Sequence, residues 1–134
     1  MTVVLVDSNV LLDVATEDRN WFGWSSDALE QAAETAPLVI NPIVYSEVSV
    51  GFDRIEDLEE ALPPETFRRD PLPYEAGFLA GKAFKAYRRR GGRRTTPLPD
   101  FYIGAHAATA GYTLLTRDAR RFRTYFPSLV LIAP

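Results

Sequence analysis

Short, wholly apolar runs that stop at a polar residue and give way to helix constrain this chain more than any other feature. Val3-Val4-Leu5-Val6 has no polar side to present to water, as expected of a central parallel strand covered on both faces. Asp7 ends it, and Ser8-Asn9 leads into the helix-compatible stretch Val10-Leu11-Leu12-Asp13-Val14. Leu38-Val39-Ile40 repeats the pattern and is followed by Asn41-Pro42, an N-cap residue and then proline at the first helical position. Thr113-Leu114-Leu115-Thr116 is a third strand and Leu129 to Ile132 a fourth. Between them, Ser26 or Asp27 is expected to cap a helix that Pro37 stops. Further helices are expected over Ile43 to Phe52, Ile55 to Leu62, Tyr74 to Arg90, Phe101 to Ala110 and Asp118 to Arg123. Gly91-Gly92 and Gly111 close two of them, while Pro63-Pro64 and Pro71 to Pro73 bracket what reads as a short connection. Strands alternating with helices predict an α/β fold with a mainly parallel sheet, in one domain spanning residues 1–134.

Composition removes several classes of function. The 134 residues include no Cys, which excludes disulfide scaffolds, thiol nucleophiles and thiolate metal sites, and a single His, His106, which excludes paired-histidine metal sites. No apolar run approaches the roughly 18–20 residues that cross a bilayer. The N-terminus reaches Asp7 without a basic segment, so a cytoplasmic location is expected. The net charge of -3 conceals an asymmetry: residues 1–67 hold 2 basic and 14 acidic side chains, residues 68–134 hold 13 basic and 4 acidic. Such a division raises the prior for nucleic acid or an oppositely charged partner and says little about fold.

In open parallel sheets, ligands bind where strands end and helices begin. Asp7 follows the first strand, Glu47 lies in the helix after the second, Asp100 opens the small-residue helix, and Asp118 follows the third strand by two positions. Each can reach the same sheet edge. Four carboxylates gathered there resist joint ionisation unless a cation joins them, and magnesium or manganese prefers such oxygen donors. Singly, Asp7, Asp100 and Asp118 are equally well placed as helix caps. Glu47, inside a helix among Val44, Val48 and Val50, would ordinarily belong to a solvated polar stripe.

Four ordered segments carry a family resemblance: Val-Leu-Val-Asp-Ser-Asn-Val-Leu-Leu-Asp at 4–13, Asn-Pro-Ile-Val-Tyr-Ser-Glu at 41–47, Leu-Pro-Asp-Phe-Tyr-Ile-Gly-Ala at 98–105 and Leu-Leu-Thr-Arg-Asp at 114–118. In order, spacing and context the chain resembles PIN-domain proteins, and in length it is most similar to the VapC-type toxins of toxin–antitoxin pairs. The resemblance implies a three-layer fold with four or five strands flanked by helices. It implies that Asp7, Glu47, Asp100 and Asp118 form an acidic quartet binding Mg2+, with Mn2+ as the other candidate. By the same resemblance, Asn9 orients the first Asp and Thr116 is the hydroxyl two positions before the last. Asn9 also reads as a turn residue and Thr116 as an ordinary strand end. Asp13 matches a frequent acidic position but lies farther from the strand end, which favours a structural role.

The resemblance further implies a homodimer, a cognate antitoxin and structured RNA as substrate, cut to leave a 5′-phosphate and a 3′-hydroxyl. Arg88, Arg89, Arg90, Arg93 and Arg94 gather five cations around two glycines, more than solubility requires, and favour a phosphate-contacting loop. Lys82 and Lys85 recur at helical spacing and read as a solvated face; Arg117, Arg120, Arg121 and Arg123 add four cations near Asp118. The acidic stretch from Asp53 to Glu65 reads first as a solvated helix and second as a docking face for a basic partner such as the antitoxin. Trp21, Phe22 and Trp24 precede the expected second helix and read as a partner anchor or, with the better support, as core; His106 reads as a helix-face or core residue with no partner that marks it as a general base. Gly77 to Lys82 only superficially resembles a phosphate loop; Gly77 and Gly81 suit close helix packing instead.

The leading expectation is a metal-dependent endoribonuclease toxin in which metal-activated water attacks phosphorus. A non-catalytic RNA- or protein-binding module of the same fold is the alternative. Less favoured is a phosphatase using Asp7 as nucleophile, because Asn9 stands where haloacid-dehalogenase-like enzymes carry their second Asp.

Overall fold

The structure is a computed structural model that describes residues 2–92 and 98–134. Its strands are β1 (Val4–Val6), β2 (Leu38–Ile40), β3 (Phe67–Arg69), β4 (Thr113–Leu115) and β5 (Leu131–Ile132). The helices are α1 (Ser8–Ala15), α2 (Phe22–Thr35), α3 (Pro42–Ser49), α4 (Ile55–Ala61), α5 (Tyr74–Arg89), α6 (Leu98–Ala110) and α7 (Arg120–Tyr125). All five strands are parallel and form one sheet in the order β3-β2-β1-β4-β5. Every residue of β1, β2 and β4 is buried. Neighbouring strand residues face opposite sides, so helices must cover both faces, giving the expected three-layer α/β architecture.

The strand order puts β1 at the centre. From it the chain proceeds outward through β2 to β3, and later returns to the other side of β1 for β4 and β5. The reversal makes the carboxyl ends of β1 and β4 the switch point, the place where sheets of this kind receive ligands. Register brings Leu5 opposite Val39 on one side and Leu114 on the other, and the Asp7 amide continues the ladder to the Leu115 carbonyl at 2.9 Å.

Two helix boundaries follow directly from local chemistry. Asn41 caps α3 by accepting from the Val44 amide at 2.9 Å, with Pro42 at the first helical position. Gly91 takes φ +84 after α5, a left-handed conformation that glycine adopts without strain. Asn41 also donates its Nδ2 to His106 Nδ1 at 3.0 Å, which assigns the proton of neutral His106 to Nε2. Burial holds the His106 pKa below its ordinary value, against the opposing charge of Asp70. His106 is thus a core residue with a partner that the sequence did not reveal. Replacing Asn41 by Ala removes a cap worth about 1 kcal/mol and strands a buried acceptor at a further ~1–3 kcal/mol. A urea midpoint lowered by more than a cap alone, with an unchanged m-value, is the expected result.

Several expectations require correction. The connection between the prolines contains β3, a fifth strand whose residues pair Phe67, Arg68 and Arg69 with Leu38, Val39 and Ile40. Only Phe67 of β3 is buried, so this edge strand carries almost no apolar signal of its own. Neither Ser26 nor Asp27 caps α2, which begins earlier at Phe22; the Asp18 carboxylate accepts from the Asn20 and Trp21 amides just upstream. Trp24 packs against the core, whereas Phe22 is exposed. The last strand is shorter than expected, and α7 starts at Arg120 behind Ala119, so Asp118 does not cap it. Asp100 lies in the first turn of α6 rather than before it.

Small residues do join α5 to α6, but not the expected glycines. Ala76, Ala80 and Ala83 form the buried seam of α5. A methyl group on Gly77 would meet Tyr102 at an ordinary 3.7 Å, and one on Gly81 would meet nothing within 4 Å. Gly104 of α6 needs glycine for a different contact, with α7 and its C-cap, because a Cβ there would come within 2.6 Å of the Phe126 ring. Phe101, fully buried in α6, anchors an aromatic cluster with Phe84, Tyr87, Tyr125 and Phe126, its ring centroids 5.2–6.3 Å from theirs. That cluster fixes α7 beside the carboxyl end of β4. Among the described residues no helix is long and apolar enough to cross a membrane.

Candidate active site

Asp7 stands at the carboxyl end of β1 and is the N-cap of α1. Its Oδ1 accepts from the Ser8 amide and its Oδ2 from the Thr116 hydroxyl, both at 2.8 Å. The cap role weighed from the sequence is therefore present, at the switch point between β1 and β4. Asp7 is 3% exposed, and burial is the main reason that its pKa rises to about 7. The Thr116 hydrogen bond opposes the rise, while the charges of Asp100 and Glu47 reinforce it.

Glu47 approaches from α3. It is half-buried, and its Oε1 accepts from the Ser8 hydroxyl at 2.8 Å. Burial pushes its pKa up, the Ser8 bond pulls it down, and the charge of Asp100 pushes it up again. Asp100, from the first turn of α6, accepts a 2.6 Å hydrogen bond from Arg121 Nη1. Its carboxyl is raised by burial, lowered by Arg121, and raised by the charge of Asp118. Asp118 is exposed at the turn after β4. Asp7, Glu47 and Asp100 thus feel one another's charge, and Asp118 joins them through Asp100.

Asn9 and Thr116 act in series. Thr116, fully buried, gives its single hydroxyl proton to Asp7 and accepts from Asn9 Nδ2 at 3.4 Å and from the Asp118 amide at 3.1 Å. Asn9 Oδ1 in turn accepts from the Arg117 amide at 3.4 Å. Asn9 therefore reaches Asp7 only through Thr116, and the β4 turn is tied to α1 by the same atoms. Asp13 is buried away from this cluster, accepting from Ser25 Oγ at 2.7 Å and Arg117 Nε at 2.8 Å, which is the structural role expected of it.

Two residues with a place in the site were not singled out from the sequence. Ser8 bridges Asp7 and Glu47 with its amide and hydroxyl, and the available signal was a hydroxyl residue directly after a strand-ending Asp. Arg121 was counted only as one of several cations. Its guanidinium is paired with Asp100 and also lies 5.7 Å from the Tyr87 ring centre.

Among the described residues, no group of three or more His, Asp or Glu side chains is arranged to enclose a metal ion. Each of Asp7, Glu47 and Asp100 is turned towards a donor within the protein. The donor set still suits magnesium, which is commonly held by one or two carboxylates together with waters and substrate phosphate, not by a full protein cage. Burial raises all three carboxyl groups and the charge of Asp100 adds to the rise at Asp7 and Glu47, a cost to ionisation that a divalent cation would offset.

The basic segment is only partly a loop. Arg88 and Arg89 form the exposed last turn of α5 and Arg90 is its C-cap, with the Arg90 guanidinium 5.3 Å from the Tyr125 ring centre. Arg93 and Arg94 lie outside the described residues. The acidic stretch is the solvated helix α4 and its flanks, where Glu59 pairs with Arg69 at 2.9 Å and accepts from Tyr45 at 2.7 Å.

Solved structures share this fold across nearly the whole chain. VapBC2 from Rickettsia felis, bound to a promoter DNA fragment, aligns over 99% of each chain with TM-score 0.76 and 18% identity. VapBC-1 from nontypeable Haemophilus influenzae aligns over 98% of each with TM-score 0.74 and 17% identity. A toxin–antitoxin complex from Klebsiella pneumoniae aligns over 95% of each with TM-score 0.71 and 23% identity. No curated protein matches the sequence. The PIN domain model matches residues 4–126, which contain Asp7, Ser8, Asn9, Glu47, Asp100, Thr116 and Asp118; the chain belongs to the PIN domain family.

Proposed function

We propose that this chain is a metal-dependent endoribonuclease, the VapC-type toxin of a toxin–antitoxin pair, with residues 1–134 acting as one domain in the cytoplasm. The observation that carries this reading is the electrostatic coupling of Asp7, Glu47 and Asp100 at the sheet's switch point. The PIN family and the toxin–antitoxin complexes among its structural neighbours support it. A cognate antitoxin and a second copy of the chain are the protein partners that the reading includes, and RNA is the substrate.

In this reading Asp7 and Asp100 would hold the principal Mg2+ or Mn2+, and Glu47 and Asp118 would complete its shell, place a second ion or orient water. The ion, when bound, supplies an activated water and neutralises charge developing on the phosphodiester. Thr116 and the Ser8 amide fix the Asp7 carboxylate, and the Ser8 hydroxyl holds Glu47 at the same switch point. Asn9 and the Asp118 amide saturate the Thr116 oxygen, so its proton points only to Asp7. Arg121, paired with Asp100 at 2.6 Å, would yield that carboxylate to the ion and remain as a cation for the phosphate. Arg88, Arg89 and Arg90 offer phosphate contacts beyond the switch point, and Arg93 and Arg94 are proposed to extend them. An aspartyl-phosphatase reading is disfavoured, since Asn9 has no acidic proton for a leaving group and its amide is committed to Thr116.

Incubation of the purified chain with total RNA tests the proposal. Mg2+ or Mn2+ is expected to yield discrete fragments with 5′-phosphate ends, and EDTA to stop their formation. Cleavage that persists in EDTA would point to another mechanism. RNA binding without cleavage in either metal would instead favour a non-catalytic module.

A further inference from the structure

A second feature adjoins the carboxylates on the α7 side. Tyr87 from α5 and Arg120, Arg121, Thr124 and Tyr125 from α7 line a cleft of about 480 Å³, with Asp118 at its wall. Arg121 connects it to the cluster, because the same guanidinium is hydrogen-bonded to Asp100 at 2.6 Å. The volume lies within the usual range for a small-molecule pocket. Two tyrosine rings with two arginines form the combination that takes a planar base on its face and a phosphate on its edge.

We infer that this cleft receives one unstacked nucleotide of the RNA, adjacent to the bond being cut; the inference rests on the nuclease reading above. The rings are held in advance. Tyr125 lies edge-on to Phe101 at 5.2 Å and to Tyr87 at 6.1 Å, so a base loses little entropy in ordering them. Both rings already carry a planar cation: Arg90 is 5.3 Å from the Tyr125 centre and Arg121 5.7 Å from that of Tyr87. A base that enters takes the place of one guanidinium and frees it for the phosphate. Arg120, exposed at the start of α7, is a further cation of the lining. A paired base cannot offer its face to a side-chain ring, so the cleft selects a loop, bulge or end of a structured RNA.

The test uses the intact chain in EDTA, titrated with the four ribonucleoside 5′-monophosphates and with ribose 5-phosphate, and followed by amide NMR. At least one nucleotide is expected to bind about tenfold or more tightly than ribose 5-phosphate, the share that base stacking contributes. The shifts should fall on Arg120, Arg121, Thr124 and Tyr125. Tyr125→Leu should abolish the preference while sparing ribose 5-phosphate binding. Arg120→Ala, at an exposed position that leaves the aromatic cluster intact, should weaken both several-fold. Equal binding of nucleotide and ribose 5-phosphate, or shifts confined to another face, overturns the cleft. Magnesium-dependent cleavage of total RNA is measured in parallel. Cleavage without a nucleotide preference removes only the cleft. A preference without cleavage removes the nuclease reading, and with it the cleft's place beside a scissile bond.

Discussion

Asp7→Asn is expected to lower metal-dependent RNA cleavage by about two to three orders of magnitude while leaving the sheet intact. The ion is asked to stabilise several kcal/mol of developing charge, and each 1.36 kcal/mol is a factor of ten in rate. Asparagine keeps the shape and one acceptor oxygen, so the Ser8 amide retains its cap partner. It removes the charge that holds a cation at the switch point. Single-turnover cleavage at saturating Mg2+, with circular dichroism as a control for folding, measures this. Activity near that of the wild type would sink the assignment of Asp7 as a ligand.

The same substitution should stabilise the chelated protein at alkaline pH. The Asp7 carboxyl titrates near 7 in the folded chain against 3.8 for the ordinary group. Between those values the folded state holds a proton that the unfolded state has released. Raising the pH therefore destabilises the fold progressively from about 4 to about 7, and the loss is complete above the folded value. At 1.36 kcal/mol per unit the whole span amounts to about 4 kcal/mol. Glu47 and Asp100 are raised as well and act in the same direction. In EDTA at pH 8, Asp7→Asn should exceed the wild type by about 2 kcal/mol, allowing ~1–2 kcal/mol for the weakened Thr116 bond. By pH 4, where both side chains are neutral, the order should reverse, the variant lying ~1–2 kcal/mol below the wild type through the weakened Thr116 bond. Urea denaturation of the two proteins across this range isolates the Asp7 contribution. An advantage independent of pH would show that Asp7 is not held protonated by the fold. Metal should reverse the trend, since protons compete with the ion for Asp7 below pH 7.

How legible each part was depended on where its signal was written. β1, β2 and β4 were visible because a strand buried on both faces must be apolar at every position. β3 was not, because two of its three residues are arginines and its place is conferred by pairing with β2. The start of α2 was misplaced because the Asp18 carboxylate caps the preceding turn, whereas Ser26 and Asp27 offered a stronger local cue. Asn41-Pro42 gave the start of α3 correctly, yet nothing nearby in sequence announced the bond to His106, 65 residues away.

The four carboxylates were selected from residue type, strand ends and motif order. That they would gather and resist joint ionisation was expected from the strand ends; which of them couple, and that burial outweighs their repulsion, depends on folded distances and neighbouring volume. Ser8, Thr116 and Asn9 became connected parts only when β4 lay beside β1. Arg121 became distinct from its neighbouring arginines only through its bond to Asp100.

By itself, then, the sequence determined the apolar strand runs, the turns at their ends and the acidic residues placed on those turns. These are local properties, fixed by hydrophobicity, capping and backbone preference over a few residues. Tertiary structure alone decided that the turns after β1 and β4 adjoin, that burial lifts the Asp7 pKa to about 7, and that Arg121 spans Asp100 and an aromatic cleft. Electrostatic coupling and desolvation depend on distance and neighbouring volume, and the chain acquires both only when segments far apart in sequence pack together.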